Sequence, residues 1–556
     1  MPTYAYPSRT VRDAEVPLLE AGAPLMARAA AALARFCAER LRADRGQVAG
    51  ARVCVLAGPG NNAGDALFAA AALARRGARI SVIVLCGTTH DAGLAAALAA
   101  GADRIDVSAD DSPSSAAQAD DSPTTAAHAD DSPNSAAQAA GSPDAASTSW
   151  AAALTELDRA DLVLDGILGT GGRRGLPPHI AHLIRDWRER DSAGTVIAVD
   201  LPSDLDPDTA EPAQARIHAD ATLTFGGLKS ELIDPRTADF TGDIHLVDLG
   251  LPLDADAAVA ELLDPGDLCA EFPRPRPESH KYSRGVLGIV AGSRDFPGAG
   301  VLTAGAAVNA APGMVRFLGD RDVGDRILDR HAEVVLTPGR LDALVLGSGD
   351  PETGLVETAM TAIGDTVPVL LDAGALEMVG HAEAAPLSGG AHRLRGRPVV
   401  LTPHAGELSR LLSRLLGEII TAGRVAADPL LWARRAAADT GHIVLLKGSR
   451  TVIACPDGFV VLPARGPASL ATAGSGDVLA GIIGTLLAAA HSDRRTAGDD
   501  GPLSDREAAH AAGLGVLLHN AAGERAVNAE QLVTAVGQVT IALIHGEDPS
   551  DGILVQ

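Results

Sequence analysis

Short apolar runs, each closing on a Gly-, Ser- or Asp-bearing turn and leading into an Ala/Leu-rich helical stretch, recur along this sequence. In the first half they are ARVCVLAG (51–58), RISVIVL (79–85), ADLVLDGILG (160–169) and GTVIAVDLPS (194–203). In the second half they are VLGIVAG (286–292), LDALVLGSG (341–349), VPVLLDAG (367–374), RPVVLTPH (397–404), HIVLLKGS (442–449) and TVIACP (451–456). Runs that are apolar throughout belong to strands covered on both faces, and strand–helix–strand order makes neighbours parallel. The fold class expected is α/β. In such sheets ligands gather at the carboxyl ends of the strands.

A chain of 556 residues has room for two large α/β domains. The segment DPGDLCAEFPRPRPESHKYSRG (264–285) carries four prolines and reads as a linker or rim. The boundary is expected near residue 268, giving domains over 1–260 and 270–550. Within the first, the decapeptides ADDSPSSAAQ, ADDSPTTAAH and ADDSPNSAAQ run from Ala109, with a decayed copy ending at Ser147. They hold seven Asp and no Lys or Arg, and nothing larger than Gln or His. Such a stretch cannot bury enough surface to offset its ordering entropy, so 108–149 is expected to be a disordered insertion.

Charge and composition remove several function classes. Acidic residues number 71 against 46 basic ones, a net −25, with only 3 Trp, 3 Tyr and 8 Phe to stack on bases. That balance repels a phosphate backbone, so no nucleic-acid partner is expected. The longest near-apolar run, Val478–Ala490, is 13 residues, too short to span a bilayer, and no membrane partner is expected. The N-terminus lacks the apolar core of a signal peptide. Cys37, Cys54, Cys86, Cys269 and Cys455 are too far apart for a zinc motif or a secreted disulfide framework. The chain is expected to be cytoplasmic and homo-oligomeric. Lysine occurs at just three positions, Lys229, Lys281 and Lys447, among 46 basic residues. So sparing a use suggests sites that need a compact ammonium.

In the first half the strand ending at Ala57 runs into Gly58-Pro59-Gly60-Asn61-Asn62-Ala63-Gly64-Asp65 and then a helix. A glycine-rich turn at a helix start presents free N–H groups to phosphate. A dinucleotide fingerprint would place an acid about 20 residues on, and Ala66–His90 contains none. Two adjacent Asn beside an Asp suit a polar substrate, or a cation coordinated by oxygen. Asp165, and Asp200 with Ser203, stand at two further strand ends. GPGNNAGD, DGILGTGG, VDLPSDL and TFGGLK (224–229) resemble the Rossmann-like epimerase domain of bifunctional NAD(P)H-hydrate repair enzymes over roughly residues 10–255. The resemblance implies a potassium ion on Asn62, Asp165 and Ser203. It implies substrate contacts at Asn61, Asn62, Ala63, Gly64 and Asp65, on the Gly169, Thr170, Gly171, Gly172, Arg173, Arg174 loop, and at Asp200. Asp200 or Asp165 is the implied acid/base. Ala63 and Ala66 stand where the family has Gly, and Asp204 replaces the Gly after Ser203.

In the second half Gly474-Ser475-Gly476-Asp477 precedes an apolar helix, where small residues let backbone donors reach an anion. An Asp in that position can take a proton from an attacking hydroxyl. Lys447-Gly448-Ser449-Arg450-Thr451 offers ammonium, hydroxyls and N–H groups to phosphates without being a Walker loop. TPHAGE (402–407), LDAGAL (371–376) and HKYSRG (280–285) add His404, Asp372, His280 and Lys281. Taken in order, these motifs resemble the ribokinase-like dehydratase domain of the same enzymes over 278–545. The resemblance implies nucleotide contacts at Lys447–Thr451 and Gly476, and hydrate contacts at Ala299, Gly349, His404 and Asp477. It implies ADP or ATP as phosphoryl donor, Mg²⁺ on the nucleotide, and Asp477 as catalytic base. The activity implied is epimerisation of NAD(P)H-hydrate and its nucleotide-dependent dehydration. The alternative is a hydroxymethylpyrimidine-type kinase fused to a non-catalytic ligand-binding domain.

Overall fold

The structure is a computed structural model. It describes residues 3–111, 143–170, 175–190, 194–203, 205, 217–234, 236–349, 351–380, 394 and 396–547. The decapeptide repeats from residue 112 to 142, Gly171, Gly172, Arg173, Arg174 and Asp204 lie outside these residues. Contacts divide the chain into an N-terminal unit, Ala5–Ala258, and a C-terminal unit, Val259–Gln556 joined by Met1–Tyr4.

From the start of the chain the strand order runs β1 (Thr3–Tyr6), β2 (Arg52–Ala57), β3 (Arg79–Val84), β4 (Asp103–Asp106), β5 (Leu162–Gly166), β6 (Thr195–Val199), β7 (Ala221–Phe225), β8 (Leu228–Lys229) and β9 (Asp243–Val247), all but the first two residues of β1 belonging to the N-terminal unit. Seven of them form a sheet in the order β4-β3-β2-β5-β6-β7-β9, every pair parallel. Ala5 and Tyr6 pair separately with Leu228 and Lys229. Side chains alternate across β2 as the pleat requires. Val53, Val55 and Ala57 pack with Leu33, Leu41 and Leu67 on one face, while Cys54 and Leu56 meet Leu157, Leu183 and Trp187 on the other. Strand order reverses at β2, so the loops after β2 and β5 open on one crevice, where doubly wound sheets bind ligands.

The C-terminal unit holds β10 (Ala260–Leu263), β11 (Val286–Val290), β12 (Met314–Phe317), β13 (Ala343–Leu346), β14 (Val369–Leu371), β15 (Val399–Leu401), β16 (Ile443–Leu446), β17 (Val452–Ala454) and β18 (Val460–Pro463). Their order is β12-β11-β13-β14-β15-β16-β17-β18-β10. β11 to β16 pair in parallel, whereas β17 runs antiparallel to both β16 and β18. Here the order reverses at β11. The helix Ser475–Thr496 lies against this sheet. Length and composition alone would let it cross a membrane, but 83% of its apolar window is buried inside the protein, as in a core helix.

Two expectations shift. The division falls at Ala258/Val259 instead of near 268, because Ala260–Leu263 is laddered to Val460–Pro463. The proline-rich stretch then opens with a helix, Pro265–Glu271, closed by an Asp264/Asp267 capping box. The helix expected from Ala66 begins at Asn61, so both asparagines sit in its first turn. β4 and β9, which lack an apolar run, are sheet edges with charged or polar side chains, as exposed edges require.

Two candidate active sites

In the N-terminal unit the first turns of the helix Asn61–Ala74 separate the NNAGD residues by face. Asn61 is exposed and Asn62 buried, Ala63 packs into the core, and Asp65 is half-buried. Ala63 has no positive φ, so its Cβ is accommodated where a left-handed residue would have demanded glycine. Gly169 lies directly on Asn62: a Cβ there would stand 3.1 Å from Asn62 Cγ. Arg12 Nη1 donates to Thr170 O at 3.0 Å, so the helix Ser8–Glu20 borders the same loop.

The two candidate carboxylates at strand ends differ in kind. Asp165 is fully buried. It accepts from Ser203 N at 2.7 Å, from Ser203 Oγ at 2.5 Å and from Ile167 N at 3.3 Å. Ser203 Oγ in turn accepts from Leu168 N at 2.9 Å, which ties the loop after β5 to the loop after β6. Asp200 instead sits on a strained backbone at φ 69°, where Leu201 N donates back to Val199 O at 2.9 Å. Its Oδ1 accepts from Lys229 Nζ at 2.5 Å, Thr224 Oγ1 at 3.2 Å and Phe225 N at 3.3 Å. Lys229 is almost fully buried and also donates to Thr224 Oγ1 and Phe225 O. Around this pair gather Asp65 and Glu15. Burial, then the charges of Asp200 and Glu15, push the Asp65 carboxyl up to about 8 despite Lys229. Burial also raises Glu15. A carboxyl raised this far keeps its proton at neutral pH, so Asp65 is a proton donor beside the Asp200 carboxylate group.

In the C-terminal unit, β13, β14, β15 and the helix Ser475–Thr496 converge. Asp372, at the end of β14, accepts from Ser348 Oγ at 2.9 Å, Thr402 Oγ1 at 2.8 Å and Lys447 Nζ at 2.9 Å. Asp477 lies in the first turn of the helix. Burial and the Asp372 charge raise it to about 6, opposed by a Ser348 hydrogen bond and Lys447. Gly474 caps that helix at φ 86°, and a Cβ there would also meet Leu302 Cδ1 at 2.7 Å. A Cβ on Gly476 would stand 3.4 Å from Lys447 Nζ, so the helix start and the ammonium face one space. Gly349, at φ 71°, leaves only 2.5 Å between a built Cβ and Ala299 Cβ, which brings these two predicted hydrate contacts together.

His404 caps the helix Ala405–Leu416. Its Nδ1 accepts from Gly406 N at 3.0 Å, and Glu407 Oε2 accepts from His404 N at 2.8 Å. The ring stays exposed, and Lys447 pairs with His404 across the strand ends. Gly448 and Ser449 are exposed, while Arg450 and Thr451 are half-buried between β16 and β17. Burial and the neighbouring Arg465 lower the Arg450 guanidinium. His280 and Lys281 are exposed on the rim segment, with Lys281 5.1 Å from the Tyr282 ring centre.

Sequence reasoning passed over several groups. Ser348 and Thr402 lie inside LDALVLGSG and TPHAGE without being singled out there, and Glu15 had no motif to mark it. His519 lies in an apolar helical run; fully buried and held down to about 4, it places Nε2 3.1 Å from Ser475 Oγ and braces the helix start.

The sequence matches the family described as NAD(P)H-hydrate dehydratase over residues 287–542, and that described as YjeF-related protein N-terminus over residues 22–230. The bifunctional NAD(P)H-hydrate repair enzyme Nnr of Mycobacterium tuberculosis is 38% identical over 496 residues, spanning 87% of this chain and 89% of that protein. The chain belongs to the bifunctional NAD(P)H-hydrate repair enzymes. The Moorella thermoacetica member is 31% identical over 520 residues, covering 87% of this chain and 84% of that one. A crystal structure of the ADP/ATP-dependent NAD(P)H-hydrate dehydratase of Bacillus subtilis, grown with ATP and Mg²⁺, is 26% identical, with a TM-score of 0.40. It covers 50% of this chain and 97% of that one. Membership in this repair family sets aside a small-molecule kinase fused to a binding module.

Proposed function

We propose that the two sites act in series on hydrated NADH and NADPH, in which water has added at C6 of the reduced nicotinamide ring. In the C-terminal unit the C6 hydroxyl attacks the terminal phosphoryl group of ADP or ATP, and Asp477 takes its proton. The nitrogen lone pair then expels phosphate from C6, a C5 proton leaves, and the ring double bond re-forms. Lys447–Thr451 and Gly476 receive the nucleotide, and His404, Gly349 and Ala299 border the hydrate. The observation that carries this reading is the convergence of Asp477, Asp372 and Lys447 at one helix start.

The donor set agrees with the implied ions. Asp372 gives Mg²⁺ a carboxylate beside the nucleotide phosphates, an arrangement typical of that ion, and leaves Asp477 as the base. Mg²⁺ would supply neutralisation of the phosphoryl charge. In the N-terminal unit the buried Asn62 amide nitrogen has no hydrogen-bond partner among the described residues, a donor left for the substrate, while the amide oxygen can face a cation. An amide, the Asp165 carboxylate and the Ser203 hydroxyl form an all-oxygen set suited to K⁺, which would order the loops after β2, β5 and β6. Asp165 is then a ligand and an anchor, and Asp200 is the base.

Epimerisation follows from the other pair. Asp65 protonates the departing C6 hydroxyl, and Asp200 deprotonates the water that returns on the opposite face. Cytoplasmic location and homo-oligomeric assembly belong to the same proposal. The test is recovery of reduced-nicotinamide absorbance from a mixture of hydrate epimers with ATP or ADP. Full recovery is expected; absence of any recovery with either nucleotide would refute the function.

A further inference from the structure

Beside the dehydratase site a cavity of about 580 Å³ opens between two walls. One wall is Ala373, Leu376 and Glu377, directly after Asp372; the other is Glu407, Arg410 and Arg414 on the helix capped by His404. Both walls therefore begin at residues of the site. Ala373 turns the chain away from Asp372 at φ 45°, a conformation costly for alanine and found where surroundings hold it. Glu407 occupies the edge shared with the site, bonded to His404 N and 3.9 Å from Lys447 Nζ.

The charges in this cavity are not equivalent. Arg414 is spent: its Nη2 donates to Leu376 O at 3.3 Å and Val379 O at 3.0 Å, holding the opposite wall in place. Arg410, one helical turn earlier, is exposed and has no ion-pair or hydrogen-bond partner among the described residues. A guanidinium facing a cavity beside a nucleotide-processing site is a donor fork for phosphate oxygens. Glu377 on the other wall is exposed too, and it accepts hydroxyl donors. The combination excludes a bare polyanion and fits a phosphorylated sugar. A volume of this order holds one nucleotide-sized moiety.

We infer that this cavity receives a ribose-phosphate portion of the hydrated dinucleotide, with Arg410 on a phosphate group, making Arg410 a specificity residue of the dehydratase. The inference rests on the proposed dehydration and names where the tail of its substrate lies. Two phosphate sources share this chemistry: the pyrophosphate common to both cofactors, and the extra monoester of NADPH.

The experiment is steady-state dehydration by the full chain of the hydrates of NADH and NADPH separately, at saturating ATP and Mg²⁺, comparing wild type with Arg410→Gln. Losing a charge-assisted hydrogen bond should raise the hydrate KM roughly 10-fold or more, with kcat and the ATP KM unchanged. A rise for both hydrates assigns Arg410 to the pyrophosphate, and a rise for NADPH-hydrate alone assigns it to the monoester. Either supports the inference. An unchanged KM for both hydrates, or a rise in the ATP KM instead, overturns it. Arg410→Glu, another good helix former, serves the same comparison if the glutamine variant misfolds. A wild-type chain that regenerates neither cofactor would refute the proposed function itself, a result distinct from a variant that matches an active wild type.

Discussion

Two lysine–aspartate pairs stand at the centres of the two units, and they are built for different tasks. Lys229 has a side chain 2% exposed, and all three of its N–H donors are taken, by Asp200, Thr224 and Phe225. It has nothing left to offer a ligand. Its effect is to fix Asp200 through Oδ1, while Oδ2 has no hydrogen-bond partner among the described residues. Lys447 is 21% exposed and makes one close bond, to Asp372. An ammonium has three donors, so two remain for phosphate. The same residue pair is thus closed in one unit and left with ammonium donors to spare in the other. Donor occupancy, not residue type, separates them.

The largest effect should come from Asp477→Ala. Losing a placed general base typically costs about 10²- to 10⁴-fold, so dehydration should fall by that factor in an absorbance assay while epimerisation, followed by separating the epimers, stays at the wild-type rate. Loss of both would mean the units do not work independently. The lysines come next. Lys229→Met leaves the half-buried Asp200 without its charge partner, a change that costs about 3–5 kcal/mol in buried pairs. It should lower the melting transition of the N-terminal unit and abolish epimerisation. Lys447→Met strips Asp372, 4% exposed, of its charge partner and should lower the melting transition of the C-terminal unit as well, but it should also raise the nucleotide KM about 10-fold. An unchanged nucleotide KM would erase the distinction drawn between the pairs.

Acidity should pull the two activities apart. Asp477 must be ionised to accept a proton and is raised to about 6, so dehydration should drop about tenfold per unit below pH 6. Asp65 must keep its proton and is raised to about 8, so enzymatic epimerisation should fall above pH 8. Rate–pH profiles of each activity, corrected for the spontaneous reaction, check both limbs. The smallest effect belongs to the repeats. Replacing residues 112–142 with a short Gly/Ser linker should leave both activities within about twofold, since loop length enters stability only logarithmically. The replacement stops before the helix Pro143–Arg159, whose Trp150, Leu154 and Leu157 are core residues.

Much of this was legible in the sequence, for a physical reason. Central strands covered on both faces must be apolar and must end in turns, so β2, β3, β5, β6, β11 and β13 to β17 announce themselves. Edge strands such as β4 (DRID) and β9 (DIHLV) answer to solvent and do not. Asn62, Asp165, Asp200, His404, Lys447 and Asp477 stood out as candidates in the sequence because they follow apolar runs or Gly-rich turns, and the structure places them at strand ends or helix starts. Their division of labour was not legible. Nothing in LDG and VDLPS says that one aspartate is sealed against Ser203 and the other held on a strained turn by a lysine 29 residues on. Nor does spacing reveal Glu15 raising Asp65, or His519 bracing Ser475, since these depend on elements far apart in the chain.

The central claim is that two independent sites, one around Asp200 and one around Asp477, complete a single repair. Complementation tests it directly. The Asp200→Asn chain alone, given a mixture of hydrate epimers with ATP and Mg²⁺, should recover reduced-nicotinamide absorbance from one epimer quickly and from the other only at the spontaneous rate. The Asp477→Ala chain alone should recover none. Mixed together, the two variants should restore complete, rapid recovery, because each supplies the site the other lacks. Rapid recovery of both epimers by Asp200→Asn alone, or no gain on mixing, would contradict the account.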